Sequence, residues 1–159
     1  MILVALGSNI AGPWGSPCET VQQALRELNR FPLRVRSTSS LLITKPFGVT
    51  NQPDFVNAVA IIETCLPPYV LLRKLHMIER VAGRKRGRKW GPRTLDVDLL
   101  DYHAQKIHHK AKMQKTLVLP HPGIQNRTFV LLPLQEVAPN WKHPTLRRSA
   151  SQMLQHLMP

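Results

Sequence analysis

Residues 84–102, RKRGRKWGPRTLDVDLLDY, run from a glycine-interrupted basic stretch through a Trp-Gly-Pro elbow into two aspartates that alternate with apolar residues. From Leu95 the alternation has the two-residue period of a strand. A strand is therefore expected over 95–100, with Val97 and Leu99 facing a core and Asp96 and Asp98 facing together the other way. This strand closes a series. Upstream, Pro67-Pro68 opens a helix whose Leu71, Leu75 and Ile78 point inward and whose stop is Gly83. Before it, residues 55–64 place apolar side chains on both parities, which reads as a strand buried on both faces. Residues 33–43 are β-like, and the following Thr-Lys-Pro-Phe-Gly must leave the sheet because proline cannot donate to the ladder. Residues 2–6 form an opening strand ending in Gly7-Ser8-Asn9. Between these segments, Ser16, Pro17 and Glu19 supply an N-cap, a first helical residue and a capping-box partner, with Val21, Ala24, Leu25 and Leu28 as the buried stripe. The order strand, helix, strand, strand, helix, strand is the ferredoxin-like βαββαβ pattern of an α+β fold.

The remaining chain elaborates on that core. A basic loop over 103–115 leads to a short strand over 116–119 and then Pro120-His121-Pro122. A helix is expected over 125–137, with Pro133 starting a turn of it or kinking it, and a last short amphipathic helix over 145–157.

At 159 residues, 43% of them apolar, the chain is expected to form a single domain over 1–159 with its own core. It lacks an apolar run long enough to span a bilayer, and the first residues lack the basic lead-in of a secretory signal, so a cytoplasmic protein with no membrane partner is expected. Cys18 and Cys65 have no metal-ligand spacing and read as free core thiols in a reducing compartment. The net charge is +13, and residues 73–115 hold 13 basic against 4 acidic residues, a surplus of +9. Such a charge suits an anionic partner. The scattered Lys106, Lys110, Lys112 and Lys115 are accounted for by a solubilising surface, whereas a flexible backbone among cations at 84–93 suits wrapping an anion.

On a strand, Asp96 and Asp98 have α-carbons about 6–7 Å apart on one face. Carboxylates held that closely repel each other, and a hard divalent cation such as Mg2+ relieves the repulsion. A solvated strand face would give the same D-x-D, but it has no need of Arg93 and a basic loop leading into it. Metal, arginines and lysines together describe a polyphosphate site, without the GxxxxGK[ST] of a P-loop. His76 and Glu79 are neighbours on the second helix, and an exposed helix face with an ion pair to Arg80 or Arg73 accounts for either residue alone. Glu79 gains interest if the end of that helix borders the aspartates. Trp90, Phe55 and Phe129 are core aromatics or, with Asn57, the kit for sandwiching and reading a flat heterocycle. His108-His109, with no further spaced ligand, reads as part of a solvated loop.

Together these residues carry a resemblance. ALGSN at 5–9, QPDFVNAV at 52–59, GR at 83–84, WGPRTLDVDLL at 90–100, LPHP at 119–122 and NRTFVLLPLQEVAP at 126–139 follow one another in order, and the sequence resembles the 6-hydroxymethyl-7,8-dihydropterin pyrophosphokinases of folate synthesis. The resemblance implies a ferredoxin-like fold and a monomer that transfers pyrophosphate from ATP to the pterin's hydroxymethyl group and releases AMP. It implies that Asp96 and Asp98 hold two Mg2+ ions. Arg84 and Arg93, helped by Arg86, would stabilise the moving charge, and His76, Glu79, His121 and Arg127 would contact or border ATP. Asn57 would read the pterin's amide edge, beside Thr44, Pro46, Phe47, Phe55, Trp90 and Phe129. Two positions depart from the pattern: His76, where glutamine is common, and Gly123, where arginine usually follows LPHP.

Other classes fit parts of the pattern. A positively charged ferredoxin-like sheet is also an RNA platform, but the paired strand aromatics of that class are missing, so a nucleic-acid partner is not expected. A metal-dependent nuclease would share the aspartates but cleave a polymer without any pterin. A silent relative would bind both substrates without turnover.

Overall fold

The computed structural model describes every residue except 86, 88, 90, 110–115 and 159. Its sheet is built from β1 (Ile2–Ser8), β2 (Arg34–Thr38), β3 (Leu42–Thr44), β4 (Phe55–Glu63) and β5 (Asp96–Tyr102). The order is β2-β4-β1-β5, all pairs are antiparallel, and β3 continues the β2 edge along β4. Helices α1 (Pro17–Leu28) and α2 (Pro68–Val81) cover one face, and α3 (Thr128–Val137) with α4 (Ala150–Leu157) cover the other. This is the expected ferredoxin-like core, with a hairpin of β6 (Ile107–His109) and β7 (Leu117–Leu119) and the two C-terminal helices added.

Side-chain parity sorts the core. Ile2, Val4 and Leu6 of β1, Val56, Ala58, Ala60 and Ile62 of β4, and Val97 and Leu99 of β5 pack with α1 and α2. The alternate residues Leu3, Ala5, Val59 and Leu100 pack with α3 and α4. Between Leu3 and Val4 the β1–β5 register slips by one residue, so Leu3 pairs with Asp101 while Val4 pairs with Leu99. The bulge lets Leu100 and Asp101 serve the same face, and Asp101 accepts a 2.7 Å hydrogen bond from the indole N–H of Trp141.

The local signals explain several boundaries. Ser16 and Glu19 form the reciprocal capping box, with Glu19 Oε2 accepting from Ser16 N–H at 2.7 Å. That backbone bond, then the Ser16 hydroxyl, hold the Glu19 carboxyl below its usual range. Helix α2 stops at Gly83, whose φ of 85° is left-handed and whose Cβ, were there one, would stand 2.6 Å from Pro13. The β-like run over 33–43 is two strands. Ser39 interrupts it by donating its N–H to Val59 O at 2.9 Å while its hydroxyl accepts the Val59 N–H at 3.0 Å. Glu136 of α3 then takes the Ser40 N–H and hydroxyl, both at 2.8 Å.

Other expectations are corrected. Residues 107–109, read as loop, form β6, because His108 and His109 pair with Val118 and Leu117. The helix expected over 125–137 is a 3-10 turn, Ile124–Asn126, followed by α3, which keeps Pro133 inside it. The last helix starts later than expected, where Ser149 and Gln152 make a second capping box. Both cysteines are free thiols; Cys18 is half-buried and packs against the core, whereas Cys65 is exposed and departs from the core-thiol reading. Lys110, Lys112 and Lys115 lie outside the described residues.

His143 gives this C-terminal packing a pH response. It is 5% exposed, edge-on to Trp141, and its Nδ1 accepts the N–H groups of Thr145 and Leu146 at 3.2 and 3.1 Å. Burial, opposed by Asp101, lowers its pKa. The unfolded chain therefore takes up the proton first as pH falls, so stability is full above about pH 6.5 and declines below it until the folded state also protonates. Thermal unfolding from pH 8 to pH 5 is expected to show a loss of stability that His143→Gln reduces; equal slopes in the two proteins would contradict this role.

Candidate active site

The register places the candidate residues in one row. Gly7 of β1 pairs with Asn57 of β4 on one side and Asp96 of β5 on the other, and Ala5 pairs with Asp98. Two strand spacings put the α-carbons of Asn57 and Asp96 about 10 Å apart. A cavity of about 490 Å3 opens over this row, on the α3 side of the sheet, with the small residues Ala5 and Gly7 at its floor. A Cβ at Gly7 would stand 3.3 Å from Asn57 Oδ1 and 3.7 Å from the Phe55 ring, so glycine keeps the floor open. On sequence Gly7 reads as the start of the turn after the first strand, but it is paired on both sides within β1; its part at the floor depends on which strands flank it, and no local pattern announces that.

At one end, Asn57 is 5% exposed and donates its amide to Thr44 Oγ1 at 2.7 Å. That bond fixes the amide plane. Phe55, Phe47 and Phe129 wall this end, the last two with ring centroids 6.0 Å apart. Pro46 lies in the same loop but outside the cavity lining.

At the other end, Asp96 is held by two cations. Arg84 bonds its Oδ1, and Arg93 Nη1 bonds its Oδ2 at 2.8 Å. Burial alone would raise the Asp96 pKa, but the two guanidiniums outweigh it and keep the carboxyl below its usual range. For Arg84, burial is likewise outweighed by Asp96 and Glu79, and the charge on its guanidinium is reinforced. Asp98 differs. Burial, then the charge of Asp96, push it up to about 7, and Arg127 only partly offsets them. Arg127 Nη1 stands 3.5 Å from Asp98 Oδ2, too far to neutralise it fully, and His121 Nε2 lies 3.8 Å from the same oxygen.

His121 is anchored by donating its N–H to Leu100 O at 2.8 Å, and its Nδ1 accepts the Gly123 N–H at 3.1 Å. Nε2 therefore carries the proton and faces Asp98. Burial, and then Arg127, lower its pKa to about 4, so His121 is a neutral donor at pH 7. Arg127 precedes the first turn of α3 and lies 5.9 Å above the Phe129 ring. A Cβ at Gly123 would come within 2.7 Å of Arg127 Nε, so glycine here makes room for that guanidinium.

Glu79 corrects the reading of an exposed helix face. It is 4% exposed, and its Oε1 accepts both Val97 N–H at 2.8 Å and Arg84 Nη1 at 2.6 Å. His76 and Glu79 line the cavity and also a neighbouring groove of about 800 Å3 between α2 and the basic loop, which shares Arg84, Lys89 and Arg93. Arg86 and Trp90 lie outside the described residues.

The donor set suits Mg2+. Two carboxylates share one face, and the raised Asp98 marks a place short of positive charge. No group of three His, Cys, Asp or Glu residues converges among the described residues. Mg2+ does not require one, since it is usually held by one or two carboxylates with water and phosphate oxygens completing the shell.

A family model described as 7,8-dihydro-6-hydroxymethylpterin-pyrophosphokinase matches residues 3–139, spanning both ends of the cavity. The chain belongs to this family. Among relatives of this family, a 2-amino-4-hydroxy-6-hydroxymethyldihydropteridine pyrophosphokinase of Haemophilus influenzae is 43% identical over 136 residues, 85% of this chain and 79% of that protein. One of Pseudomonas aeruginosa is 42% identical over 144 residues, covering 90% and 83%. A crystal structure of an HPPK-DHPS in complex with substrates superposes with a TM-score of 0.73 at 13% identity, over 98% of this chain and 43% of that one. At that identity the likeness speaks for the ferredoxin-like fold.

Proposed function

We propose that the cavity binds 6-hydroxymethyl-7,8-dihydropterin at its Asn57 end and the phosphates of ATP at its Asp96 end, as one pyrophosphokinase domain over 1–159. The family's reaction is this enzyme's reaction: pyrophosphate passes from ATP, the co-substrate, to the pterin's hydroxymethyl group, AMP is released, and the product serves folate synthesis. The observation that carries the assignment of ends is the row Asn57, Gly7, Asp96, which sets a heterocycle reader and a phosphate site about two strands apart on one surface.

In this reading the Asn57 amide and the Thr44 hydroxyl recognise the polar edge of the pterin, and Phe47, Phe55 and Phe129 hold its ring. Trp90 would add to that packing and Arg86 to the charge around the phosphates. The substrate hydroxyl attacks the β-phosphorus; the O–Pβ bond forms as the bond from Pβ to the bridging α-phosphate oxygen breaks, AMP takes the electron pair, and the hydroxyl proton passes to water. No side chain becomes covalently attached. Arg84 and Arg93 exchange Asp96 for phosphate oxygens, so their charge is already in place when the transition state develops. His121, neutral with its Nε2–H toward the site, donates to the nucleotide phosphates beside Arg127. His76 and Glu79 border the nucleotide where the cavity meets the basic groove. Asp96 and Asp98 would hold Mg2+, two ions in this reading, which when bound neutralise phosphate oxygens during an in-line displacement. The protein acts as a monomer in the cytoplasm. No helix among the described residues is long and apolar enough to cross a membrane.

The test is AMP formation from Mg-ATP with and without the pterin. Release that requires pterin is expected, and Asn57→Ala should raise the pterin KM by about tenfold or more, the effect of losing a site-built hydrogen-bond partner, while leaving the ATP KM nearly unchanged. ADP or phosphate formed regardless of pterin would defeat the reading. Polymer cleavage would favour the nuclease class instead.

A further inference from the structure

The side chain of Asn9, just beyond β1, is not itself part of the cavity lining, yet it is 2% exposed and fully engaged. Its Nδ2 donates to Gln52 Oε1 and to Pro53 O, both at 2.9 Å. Its Oδ1 accepts the Arg93 N–H at 2.8 Å, and its own N–H donates to Arg93 O at 3.1 Å. One planar amide thus joins two segments that are far apart in sequence. The segment over 45–54 carries Phe47 to the pterin end, and Gln52 is tied within it by donating to Val49 O at 2.6 Å. Arg93 leads from the basic loop to the phosphate end, where its guanidinium sits on Asp96. Only a primary amide offers two donors and an acceptor in this geometry; a hydroxyl is too short of donors, and a carboxylate has none.

We propose that Asn9 is a positioning residue that couples the two substrate sites, so that ordering of the pterin loop and placement of Arg93 favour each other. The inference rests on the two-substrate reading above. A shared hydrogen-bonded element with a substrate at each end is a physical route for such coupling, and coupling of binding equilibria must be reciprocal. The side chain acts through the Gln52 side chain and the backbone of Pro53 and Arg93, and need not touch either substrate.

The test is calorimetric binding of the pterin with and without Mg2+ and an ATP analogue carrying a methylene between the α- and β-phosphorus. In the unmodified enzyme the analogue is expected to tighten pterin binding by about fivefold or more, the lower bound of ordinary allosteric coupling. Asn9→Asp retains the acceptor for Arg93 N–H but turns both donors into an anion facing Gln52 Oε1 and Pro53 O, and should bring that ratio to near unity. Gln52→Ala, in the half-buried loop, removes one of the two amide bonds without touching the core and should lower the ratio in the same direction, whether or not Asn9→Asp folds. If the variants weaken pterin binding equally with and without analogue, leaving the ratio unchanged, Asn9 is a structural bolt and the proposal is overturned. A ratio of one in the unmodified enzyme overturns it as well. Absence of any pterin binding there would instead fail the two-substrate reading, and the coupling with it.

Discussion

Asp98→Asn is expected to lower pterin-dependent AMP release on the order of 10³-fold while raising the stability of the enzyme in the absence of divalent ions. The two effects have one origin. Asp98 lies beside Asp96 on the face of β5, and burial together with that neighbour pushes its pKa up to about 7. A folded carboxyl with a raised pKa keeps its proton while the unfolded chain gives it up, so stability falls as pH rises from about 4 to about 7 and then stays at the lower level. Asparagine removes this charge with nearly the same shape. The expected gain in Tm is therefore absent at pH 4 and complete at pH 8, where about 2–4 °C would correspond to 1 kcal/mol in a chain of this size. Measurements in a chelator separate the effect from ion binding. An Asp98→Asn enzyme that turns over normally would remove Asp98 from the phosphate site. Loss of activity with lower stability at pH 8 would mean that Asp98 is structural.

The origin of these effects also explains what the sequence makes legible. Alternation places Asp96 and Asp98 on one face and Val97 and Leu99 on the other, and the structure packs the latter pair against α1 and α2. Ser16 with Glu19 is readable because a capping box closes within four residues. Asn57 and Phe55 were legible as residue types in a buried strand, but their adjacency to Asp96 was not, since it follows from β1 running between β4 and β5. The same holds for Gly7, which matters because Asn57 Oδ1 lies across it, and for Asn9, whose partners are more than 40 residues away. The run over 33–43 has β character throughout, and only the bond between Ser39 and Val59, a tertiary contact, cuts it in two. Residues 107–109 read as loop for a related reason: a three-residue strand has too few alternations to show a period, and its pairing with β7 decides it.

Glu79→Ala is expected to destabilise the enzyme by about 2–4 kcal/mol, more than a surface ion pair could explain. On sequence, Glu79 belongs to a polar helix face with arginines at 73 and 80 within reach; in the structure its side chain is 5% exposed and bonded to Arg84 and to the backbone of Val97. One oxygen accepts the N–H of Val97 at 2.8 Å and the guanidinium of Arg84 at 2.6 Å, and Arg84 returns its own N–H to Glu79 O at 3.0 Å. Glu79 therefore joins the end of α2, the start of the basic loop and the strand that carries the aspartates. Alanine would leave a buried peptide N–H without its acceptor and release Arg84 from one of its two carboxylates. The stability loss corresponds to a Tm lower by about 5–10 °C. Misplacing Arg84 should reduce kcat by about 10²-fold, because transfer depends on charge being positioned before the reaction. Glu79→Gln retains an oxygen for Val97 N–H and loses only the ionic part of the Arg84 contact, so it should recover most of the stability and less of kcat. Chemical and thermal unfolding alongside AMP release separate the two roles. If Glu79→Ala melts within 2 °C of the unmodified enzyme, the clamp is not holding β5; if Gln and Ala lose kcat equally while differing in Tm, the carboxylate charge itself, and not the geometry it maintains, is what Arg84 requires.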